Sequence, residues 1–362
     1  MDVKPKRIAV ICNYELLKNR VGGMDYFFWA FNARCKEQNI QVDWFFPNTA
    51  THEDYKTFDI IFSKKETLEQ CFISYIKSQK VQYLSIVTHF VELCTSFFSE
   101  IKKNQKAKVI AVDHNPRPLG GYPLKKRIKK RLKGFLYSKH IDLFVGVSKY
   151  TSRAILHDFG SFLKQKTKTV YNGVLIEDIM PKMTKRSKEN PKFLVVSHLR
   201  YSKGIQDLIQ AVNLLPENLK KDLKIDVYGD GSYKNELIKL IEIYNLKSVF
   251  NFKGSQSNLR ELYKNYDYLI QPTHMECFSL SVLESLAANI PVITTPVGGN
   301  MEVVTNNVNG FVFEPENSEV LSDLLTEIIK GEKNILGNTR SQIESKFSID
   351  RMVEEHMKQL GL

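Results

Sequence analysis

The segment YLIQPTHMECFSLSVLESLAANIPVITTP, residues 268–296, contains a strand, a loop, a helix and a second strand in succession. Its outer runs, YLIQPT and PVITTP, are short and mostly apolar, as in strands buried on both faces of a parallel sheet. Between them, Ser279 predicts a helix N-cap, and Asn289 followed by Pro291 predicts the end of that helix. The segment therefore predicts two parallel strands joined by a helix over 279–288.

The same alternation extends over most of the 362 residues. The first half contains seven short apolar runs, with helical periodicity at 23–38 and 91–103 between them. These runs are RIAVICN, QVDWFFP, DIIFS, YLSIVTH, KVIAVDH, DLFVGVS and TKTVYNG. The second half repeats the pattern of strands and helices from KFLVVSHL to GFVFEP, with one of its helices predicted at 300–305. Such alternation predicts the α/β class, with doubly wound parallel sheets.

A polar stretch with two prolines, residues 174–192, interrupts the alternation and predicts a linker. A chain of this length exceeds the roughly 250–300 residues that one hydrophobic core usually serves. We therefore predict an N-terminal domain over 1–173, the linker, and a C-terminal domain over 193–345. A final helix within 346–362 is expected to pack back toward the first domain, and a cleft is expected between the two domains.

The composition excludes several classes of protein. The chain has no run of about 18 apolar residues that could cross a bilayer, and the apolar run at 8–12 is too short for a signal peptide. Its five cysteines are scattered without CxxC spacing, which favours neither disulfides nor a zinc site. A reducing cytoplasm is the expected location.

Two features around the predicted helix at 279–288 point to a bound phosphate and sugar. The backbone N–H groups of Phe278, Ser279 and Leu280 lack intrahelical acceptors at the helix N-terminus, which favours an anion such as phosphate. Glu276 precedes this terminus and Glu284 lies inside the helix. Because a carboxylate accepts two hydrogen bonds from a vicinal diol, both residues are candidate sugar or ribose ligands.

A second candidate anion site is SHLRYSKG, residues 197–204, between a predicted strand and a helix. Arg200 offers a bidentate fork and Lys203 a compact charge, so both could hold one phosphate. The alternative is that they are two solvated loop cations. In the first half, Gly22 and Gly23 precede a helix and would let a ligand approach the backbone closely, and His114 ends a strand where a loop begins.

In chain order, these stretches resemble the large retaining glycosyltransferase family of GT-B fold (glycosyl transferases group 1, family four), typified by sucrose synthases and bacterial mannosyl- and glucosyltransferases. The resemblance covers nearly the whole chain. Its most specific element is the E-x7-E pair Glu276 and Glu284, followed by a Pro-Val strand and the Gly-Gly-x-x-Glu turn at 298–302. It implies two Rossmann-like domains facing across a cleft.

The activity that the resemblance implies is retaining transfer of a hexose from a nucleotide diphosphate sugar. UDP is the first expectation for the nucleotide and GDP the second. The acceptor would be a hydroxyl of a glycan or a lipid-linked molecule, in the synthesis of a bacterial surface polysaccharide such as lipopolysaccharide, or of a glycolipid.

The resemblance also implies roles for individual residues. Glu276 would hold the donor sugar, Glu284 the ribose, and the N–H groups of residues 278–280 the diphosphate. Lys203 would neutralise the leaving phosphates, and Arg200 would replace the family's usual arginine, whose position is taken by His198. The implied catalytic residues are Glu276, Lys203, Arg200 and His114, and the implied donor-binding residues are Gly22, Gly23, His198, Arg200, Lys203, Glu276, Phe278, Ser279, Leu280 and Glu284.

Two departures from the family pattern keep alternatives open. His198 replaces the usual arginine, which leaves a non-catalytic nucleotide-sugar-binding or scaffold protein as one alternative. A nucleotide-sugar epimerase of the same fold is another. Cys277 and Ser279 replace glycines that the family often carries, which reduces the space around the phosphates. The chain contains no Asp-x-Asp segment to hold Mg²⁺ or Mn²⁺, so no metal or other cofactor is expected.

A basic run distinguishes the first half of this chain of net charge +12. In residues 124–136, apolar side chains recur at three- and four-residue spacing among cations, as in an amphipathic helix lying on an anionic membrane. The cations are Lys125, Lys126, Arg127, Lys129, Lys130, Arg131 and Lys133. The alternative is that the apolar stripe packs on the domain. Nucleic acid is not an expected partner, because no aromatic platform accompanies the run.

Overall fold

The computed structural model describes residues 6–17, 21–183 and 190–361, which form two compact units. The first unit contains the chain up to Gly173 together with Ile349–Leu362, and the second contains Val174–Ser348. Each unit is built around one sheet of parallel strands.

The sheet of the first unit has seven strands in the order β3-β2-β1-β4-β5-β6-β7. Its strands are β1 (Lys6–Cys12), β2 (Ile40–Phe45), β3 (Asp59–Ile61), β4 (Ser85–His89), β5 (Lys108–Asp113), β6 (Leu143–Gly146) and β7 (Thr167–Thr169). The helices of this unit are α1 (Asp25–Glu37), α2 (Leu68–Gln79), α3 (Ser96–Asn104), α4 (Leu124–Tyr137), α5 (Lys149–Phe159) and the C-terminal α13 (Ile349–Leu360). All seven predicted strands are confirmed.

The sheet of the second unit has six strands in the order β10-β9-β8-β11-β12-β13. Its strands are β8 (Phe193–Val196), β9 (Ile225–Tyr228), β10 (Phe250–Gly254), β11 (Tyr268–Gln271), β12 (Val292–Thr294) and β13 (Gly310–Val312). Its helices are α6 (Ile205–Leu214), α7 (Glu217–Lys220), α8 (Lys234–Ile243), α9 (Leu259–Leu262), α10 (Leu280–Ala287), α11 (Ser318–Ile329) and α12 (Arg340–Lys346). The predicted α/β class with two Rossmann-like units is confirmed.

The central strands explain why the apolar runs were continuous rather than alternating. Ile8 to Cys12 in β1 and Phe193 to Val195 in β8 are almost fully buried, because helices cover both faces of each sheet. Since all strands of a parallel sheet end at the same edge, the loops that leave their carboxyl ends converge there. The residues expected to bind a ligand lie on these loops or, as Leu280 and Glu284 do, in the helix α10 that follows one of them.

Three local predictions differ from the structure. The helix predicted at 91–103 begins only at Ser96, because Phe90 and Cys94 adopt left-handed backbone angles that a helix does not tolerate. The helix predicted at 300–305 is a single 3₁₀ turn, Asn300–Glu302. In the predicted linker 174–192, residues 184–189 lie outside the described residues, and the remainder belongs to the second unit, where Arg340 donates a hydrogen bond to the carbonyl of Ile179 (2.9 Å).

The amphipathic helix predicted around the basic run is confirmed as α4, but its apolar stripe does not pack on the domain. Gly134 is the one residue of α4 that is buried. The alternative in which the stripe joins the core is therefore wrong. Within the described ranges, no helix combines the length and the apolar character that a bilayer span requires.

Candidate functional site

The N-terminus of α10 is organised by Ser279. Its hydroxyl caps the helix by accepting a hydrogen bond from the N–H of Val282, as the sequence predicted. The amide of Gln271, at the end of β11, donates to the same hydroxyl. The amide of Asn300 in turn donates to the Gln271 side-chain oxygen (3.2 Å), so a buried polar network holds the helix tip against two strand ends.

The N–H groups of Ser279 and Leu280 have no acceptor among the described residues, and both are oriented by the cap. Such groups carry the positive end of the helix dipole, which favours an anion. That an anion binds at this terminus stays a prediction.

The loop after β11 is joined to the loop after β8. The N–H of His274 donates to the carbonyl oxygen of Ser202 (2.9 Å), and the hydroxyl of Thr273 donates to the same oxygen (3.2 Å). Gly204 has a left-handed φ of 69°, and an added Cβ there would lie 1.7 Å from the carbonyl oxygen of Pro272. Only glycine permits this approach, so the SHLRYSKG turn is seated directly on the segment that leads to Glu276.

A buried His–Asp contact strengthens the connection between these loops. His274 Nε2 lies 2.5 Å from Asp207 Oδ2, and both side chains are more than nine-tenths buried. The hydrogen bond to Asp207 raises the pKa of His274 above its ordinary value, although burial opposes the shift. Sequence reasoning missed this pair because the two residues are 67 positions apart.

Lys203 and Glu276 meet across the joined loops. Lys203 Nζ donates to Glu276 Oε2 at 2.9 Å, and both side chains retain some exposure, 22% and 15%. The other carboxylate oxygen accepts from the N–H of Cys277 (3.0 Å). The cation and the carboxylate expected to bind the donor are therefore adjacent, immediately before the α10 tip.

A third loop, which contains Gly298 and Gly299, packs against the backbone of Glu276 and Cys277. Gly298 has a φ of 66°, and an added Cβ would lie 2.1 Å from the carbonyl oxygen of Glu276. The N–H of Gly299 donates to the carbonyl oxygen of Cys277 (2.9 Å). The Gly-Gly turn therefore holds the Glu276–Cys277 backbone in position.

Arg200 and His198 lie on the turn that carries Lys203, and both are exposed. The Arg200 guanidinium has no ion-pair partner among the described residues, whereas Lys203 is engaged by Glu276. The structure therefore places Arg200 on the predicted turn but does not bring it to Glu276. The role of either residue in donor binding stays a prediction.

Glu284 occupies the second turn of α10, where its side chain is 12% exposed. The hydroxyl of Tyr263 donates to one oxygen (3.1 Å), and Arg260 Nε lies 3.6 Å from the other. Burial raises the pKa of the Glu284 carboxyl, while Arg260 and Tyr263 oppose that shift. Arg260 and Tyr263 lie in a segment without a motif, and nothing local marked them as partners of Glu284.

The remaining predicted residues lie in the first unit. Gly22 donates its N–H to Asp25 Oδ2 at the start of α1, and Gly23 follows it in an exposed turn. An added Cβ on Gly22 would lie 2.0 Å from the hydroxyl of Tyr14, so this loop is packed against an aromatic ring. No ligand contact is needed to account for glycine at position 22.

His114 lies at the end of β5, among rings. Its Nε2 is 3.0 Å from His89 Nδ1, and its ring stacks on Phe90 with centroids 4.1 Å apart. Burial, and secondarily the charge of His356, lower the pKa of His114 to about 3. His114 is therefore neutral near pH 7 and is suited to hydrogen bonding rather than to ion pairing.

Two solved structures identify the fold. HepE of Anabaena, solved in complex with UDP and glucose, superposes with a TM-score of 0.77 over 98% of this chain and 99% of HepE, at 18% sequence identity. A sucrose-phosphate synthase of Thermosynechococcus elongatus superposes with a TM-score of 0.75 over 98% of each chain, at 15% identity. The fold is the GT-B fold, with two Rossmann-like domains.

Part of the sequence matches a known family model. The family model described as Glycosyl transferases group 1 matches residues 177–346. That range contains Lys203, Glu276, Glu284 and the α10 tip. The match to this family therefore lies within the second unit.

The curated relatives match over part of their length. An uncharacterized glycosyltransferase of Methanocaldococcus jannaschii is 26% identical over 208 residues, which are 53% of this chain and 53% of the relative. The N-acetyl-alpha-D-glucosaminyl L-malate synthase of Bacillus anthracis is 27% identical over 172 residues, 46% of this chain and 45% of the relative. The poly(glycerol-phosphate) alpha-glucosyltransferase of Bacillus subtilis is 24% identical over 254 residues, 64% of this chain and 37% of the relative. The chain thus spans about half or less of their lengths.

Proposed function

We propose that this protein is a retaining, metal-independent glycosyltransferase that moves a hexose from a nucleotide diphosphate sugar to an acceptor hydroxyl. The observation that carries the proposal is the pairing of Lys203 with Glu276 at 2.9 Å, immediately before the capped tip of α10. This arrangement puts a cation, a carboxylate and unengaged N–H groups within one short surface. A sugar diphosphate presents hydroxyls and anionic oxygens in the same succession.

The helix tip and Lys203 would bind the diphosphate. When the anomeric C–O bond breaks, negative charge grows on the departing phosphate, and groups fixed around that phosphate stabilise the transition state more than the ground state. The removal of one such preorganised donor costs about 2.7–4 kcal/mol in comparable sites. Arg200 would add a second cation, since its guanidinium is exposed on the turn that carries Lys203.

Glu276 would orient the sugar. In the structure its carboxylate accepts from Lys203 and from the N–H of Cys277. Once phosphate engages Lys203, one carboxylate oxygen becomes available to the sugar hydroxyls. We do not propose a covalent intermediate on Glu276. The acceptor hydroxyl would attack on the face that the leaving group departs from, and a departing phosphate oxygen would take its proton.

Glu284 would bind the nucleotide ribose. Tyr263 and Arg260 hold its carboxylate from the protein side, which leaves a small exposed portion for a diol. We propose UDP as the preferred nucleotide and GDP as the second candidate. That HepE was solved with UDP and glucose supports this order.

The acceptor is proposed to be a hydroxyl of a glycan or lipid-linked molecule in surface-polysaccharide or glycolipid synthesis. Support comes from the relative in Bacillus subtilis that is named for glucosyl transfer to poly(glycerol-phosphate). We propose a reducing cytoplasm as the location, since all five cysteines are buried and no disulfide joins them within the described residues.

The decisive experiment is a panel of UDP- and GDP-sugars, each tested for a rise in unfolding temperature and for sugar release or transfer. A glycosyltransferase should be stabilised by one sugar nucleotide and should turn it over. Stabilisation without turnover would favour the scaffold alternative, and conversion of the sugar without loss of the nucleotide would favour an epimerase.

The metal-independent part of the proposal has its own test. The chain lacks an Asp-x-Asp segment that would hold a cation against the diphosphate. Transfer should therefore proceed at an unchanged rate after dialysis against EDTA. A rate that falls in EDTA and returns with Mg²⁺ would contradict the proposal.

A further inference from the structure

The helix α4 turns its apolar side away from its own domain. Five large apolar side chains that recur at three- and four-residue spacing are all exposed. They are Leu124 (70%), Ile128 (53%), Leu132 (58%), Phe135 (77%) and Leu136 (53%). An ordinary surface helix buries such a stripe against the core. In α4 the stripe is presented to the surroundings.

The opposite side of α4 attaches the helix to the first unit. Gly134 is buried against α5, where an added Cβ would lie 2.1 Å from the carbonyl oxygen of Phe159. Lys130 Nζ bonds Asp158 Oδ2 (3.2 Å) and lies 4.8 Å from the centre of the Phe159 ring. Lys133 Nζ bonds Glu92 Oε1 (2.6 Å). A glycine and two lysines therefore occupy the side where apolar residues usually pack.

The two attached lysines are distinct from the other cations of the run. Lys125, Lys126, Arg127, Lys129 and Arg131 are exposed, and among the described residues none of them forms an ion pair. On a helix of 3.6 residues per turn, the two arginines border one side of the apolar stripe and Lys129 borders the other.

The chain around α4 carries no acidic residue, and the carboxylates of Glu92 and Asp158 that contact the helix are both paired with its lysines. Residues 115–141 contain no Asp or Glu. The nearby Asp158 is buried and is neutralised by Arg117, whose Nε lies 2.9 Å from its Oδ2, and by Lys130. An apolar stripe bordered by unneutralised cations is complementary to a surface that combines acyl chains with phosphates.

We propose that α4 is the docking surface of this protein for an anionic lipid bilayer. Leu124, Ile128, Leu132, Phe135 and Leu136 enter the interface below the headgroups, and the exposed cations contact the lipid phosphates. A second copy of the chain is disfavoured as occupant, because it would oppose one unneutralised basic helix to another. A nucleic acid would use the cations but leave five apolar side chains in water.

The experiment is co-sedimentation of the full chain with two kinds of vesicle, without any sugar nucleotide. Vesicles of phosphatidylcholine with phosphatidylglycerol should bind the protein, and vesicles of phosphatidylcholine alone should bind it at least about tenfold less. Because no donor or turnover is involved, the result is independent of the proposed transferase activity.

Two double variants test the cations and the apolar stripe of α4 separately. The double variant Arg127→Glu, Arg131→Glu should lower binding to anionic vesicles at least about tenfold. The double variant Ile128→Asn, Phe135→Asn should lower it to a similar extent by removing buried apolar area. All four positions are exposed, so the unfolding temperature should change little.

Matched controls come from the second unit. Lys239 and Lys247 are exposed cations on and beside α8, and Ile243 and Leu336 are exposed apolar residues at 69% and 80%. The variants Lys239→Glu, Lys247→Glu and Ile243→Asn, Leu336→Asn should bind anionic vesicles as the parent does.

Four outcomes would overturn the proposal. The first three are absence of binding to anionic vesicles, equal binding to neutral vesicles, and an equal loss of binding in the α4 and control variants. The fourth is that vesicles fail to bind while the protein forms a lipid-free dimer, and that the double variant Ile128→Asn, Phe135→Asn dissociates this dimer. The last outcome would assign α4 to self-association. Within the first of these outcomes, binding of an RNA oligonucleotide would assign α4 to nucleic acid.

Discussion

The two units present similar strand ends but organise the loops beyond them differently. In the second unit, backbone hydrogen bonds and close glycine contacts join the loops, as between Ser202 and His274 or Gly298 and Glu276. In the first unit, rings fill the corresponding region. Tyr14 lies beside Phe90 with centroids 5.7 Å apart, and Phe90 stacks on His114.

The difference teaches where functional signals can be read in a chain of this class. Charged residues and glycines that connect two loops are recognisable in the sequence as motifs, since few other residues satisfy the same geometry. SHLRYSKG and the E-x7-E pair are two such motifs. Aromatic packing tolerates many substitutions of similar volume and leaves no comparable motif. The sequence therefore indicates the donor-binding residues of the proposed reaction, but it does not indicate the acceptor-binding residues.

The largest effect, on the rate of sugar transfer, is expected where Lys203 and Glu276 connect two loops of the second unit. Lys203→Ala and Glu276→Ala should each lower kcat/KM for sugar transfer about 10²–10³-fold, because each removes a group fixed beside the developing charge or the sugar. The measurement is the initial rate with the donor identified in the sugar-nucleotide panel. Lys239→Ala is the matched control, since Lys239 pairs with Glu236 at 3.0 Å on the surface of the same unit. If Lys239→Ala lowered kcat/KM as much as the site variants do, the loss would not be specific to the loops that carry Lys203 and Glu276.

The next effect tests the glycine contact itself. Gly204→Ala should lower the free energy of unfolding by about 2–4 kcal/mol, from a left-handed backbone and a clash with Pro272. It should also displace Lys203 and lower kcat/KM about 10²-fold.

Gly254→Ala separates the two causes of that loss. Gly254 has a φ of 66°, and an added Cβ would meet nothing within 4 Å. This variant should lose only about 1 kcal/mol, measured by the same denaturant titration. Equal losses in the two variants would mean that backbone strain, and not the contact between the loops, dominates.

The last predicted effect concerns the imidazoles of the first unit. Burial lowers the pKa of His356 from 6.5 to about 4, so the folded protein resists a proton that the unfolded chain accepts. The stability is therefore fully present above about pH 6.5 and declines as the pH falls toward 4, by about 1–2 kcal/mol at pH 5 for this group. Denaturant titrations at pH 7 and pH 5 measure the decline.

The variant His356→Gln tests the source of this pH dependence. It should lower stability at both pH values, because His356 packs on Phe27 with ring centres 4.7 Å apart. The difference between pH 7 and pH 5 should nevertheless shrink relative to the parent. An unchanged difference would assign the acid sensitivity to other groups.

Local structure was largely predictable. Ser279 caps α10 as expected, and Asn289 adopts the left-handed conformation (φ 59°) that was expected where the helix ends. Such features depend on residues within one turn of each other. The error at 91–103 has a related cause, since the non-glycine residues Phe90 and Cys94 take left-handed angles that no local signal marked.

The candidate site was predictable in part. The sequence placed Lys203 and Glu276 on strand-exit loops, but it could not show that their side chains meet across 73 positions. Nor did it indicate Arg260 and Tyr263 as the partners of Glu284. These contacts depend on strand order, which the alternation of elements does not specify.

By itself, the sequence determined the alternation of strands and helices, the position of the α10 cap and the amphipathic character of residues 124–136. Propensity, capping and periodicity decide these features within a few residues of chain. Only the tertiary structure decided which loops are joined, and that the apolar stripe of α4 faces outward while Gly134 faces the domain. The helical periodicity of a sequence shows that a helix has an apolar face and a polar face. Which of the two faces is covered depends on the distant residues that pack against it.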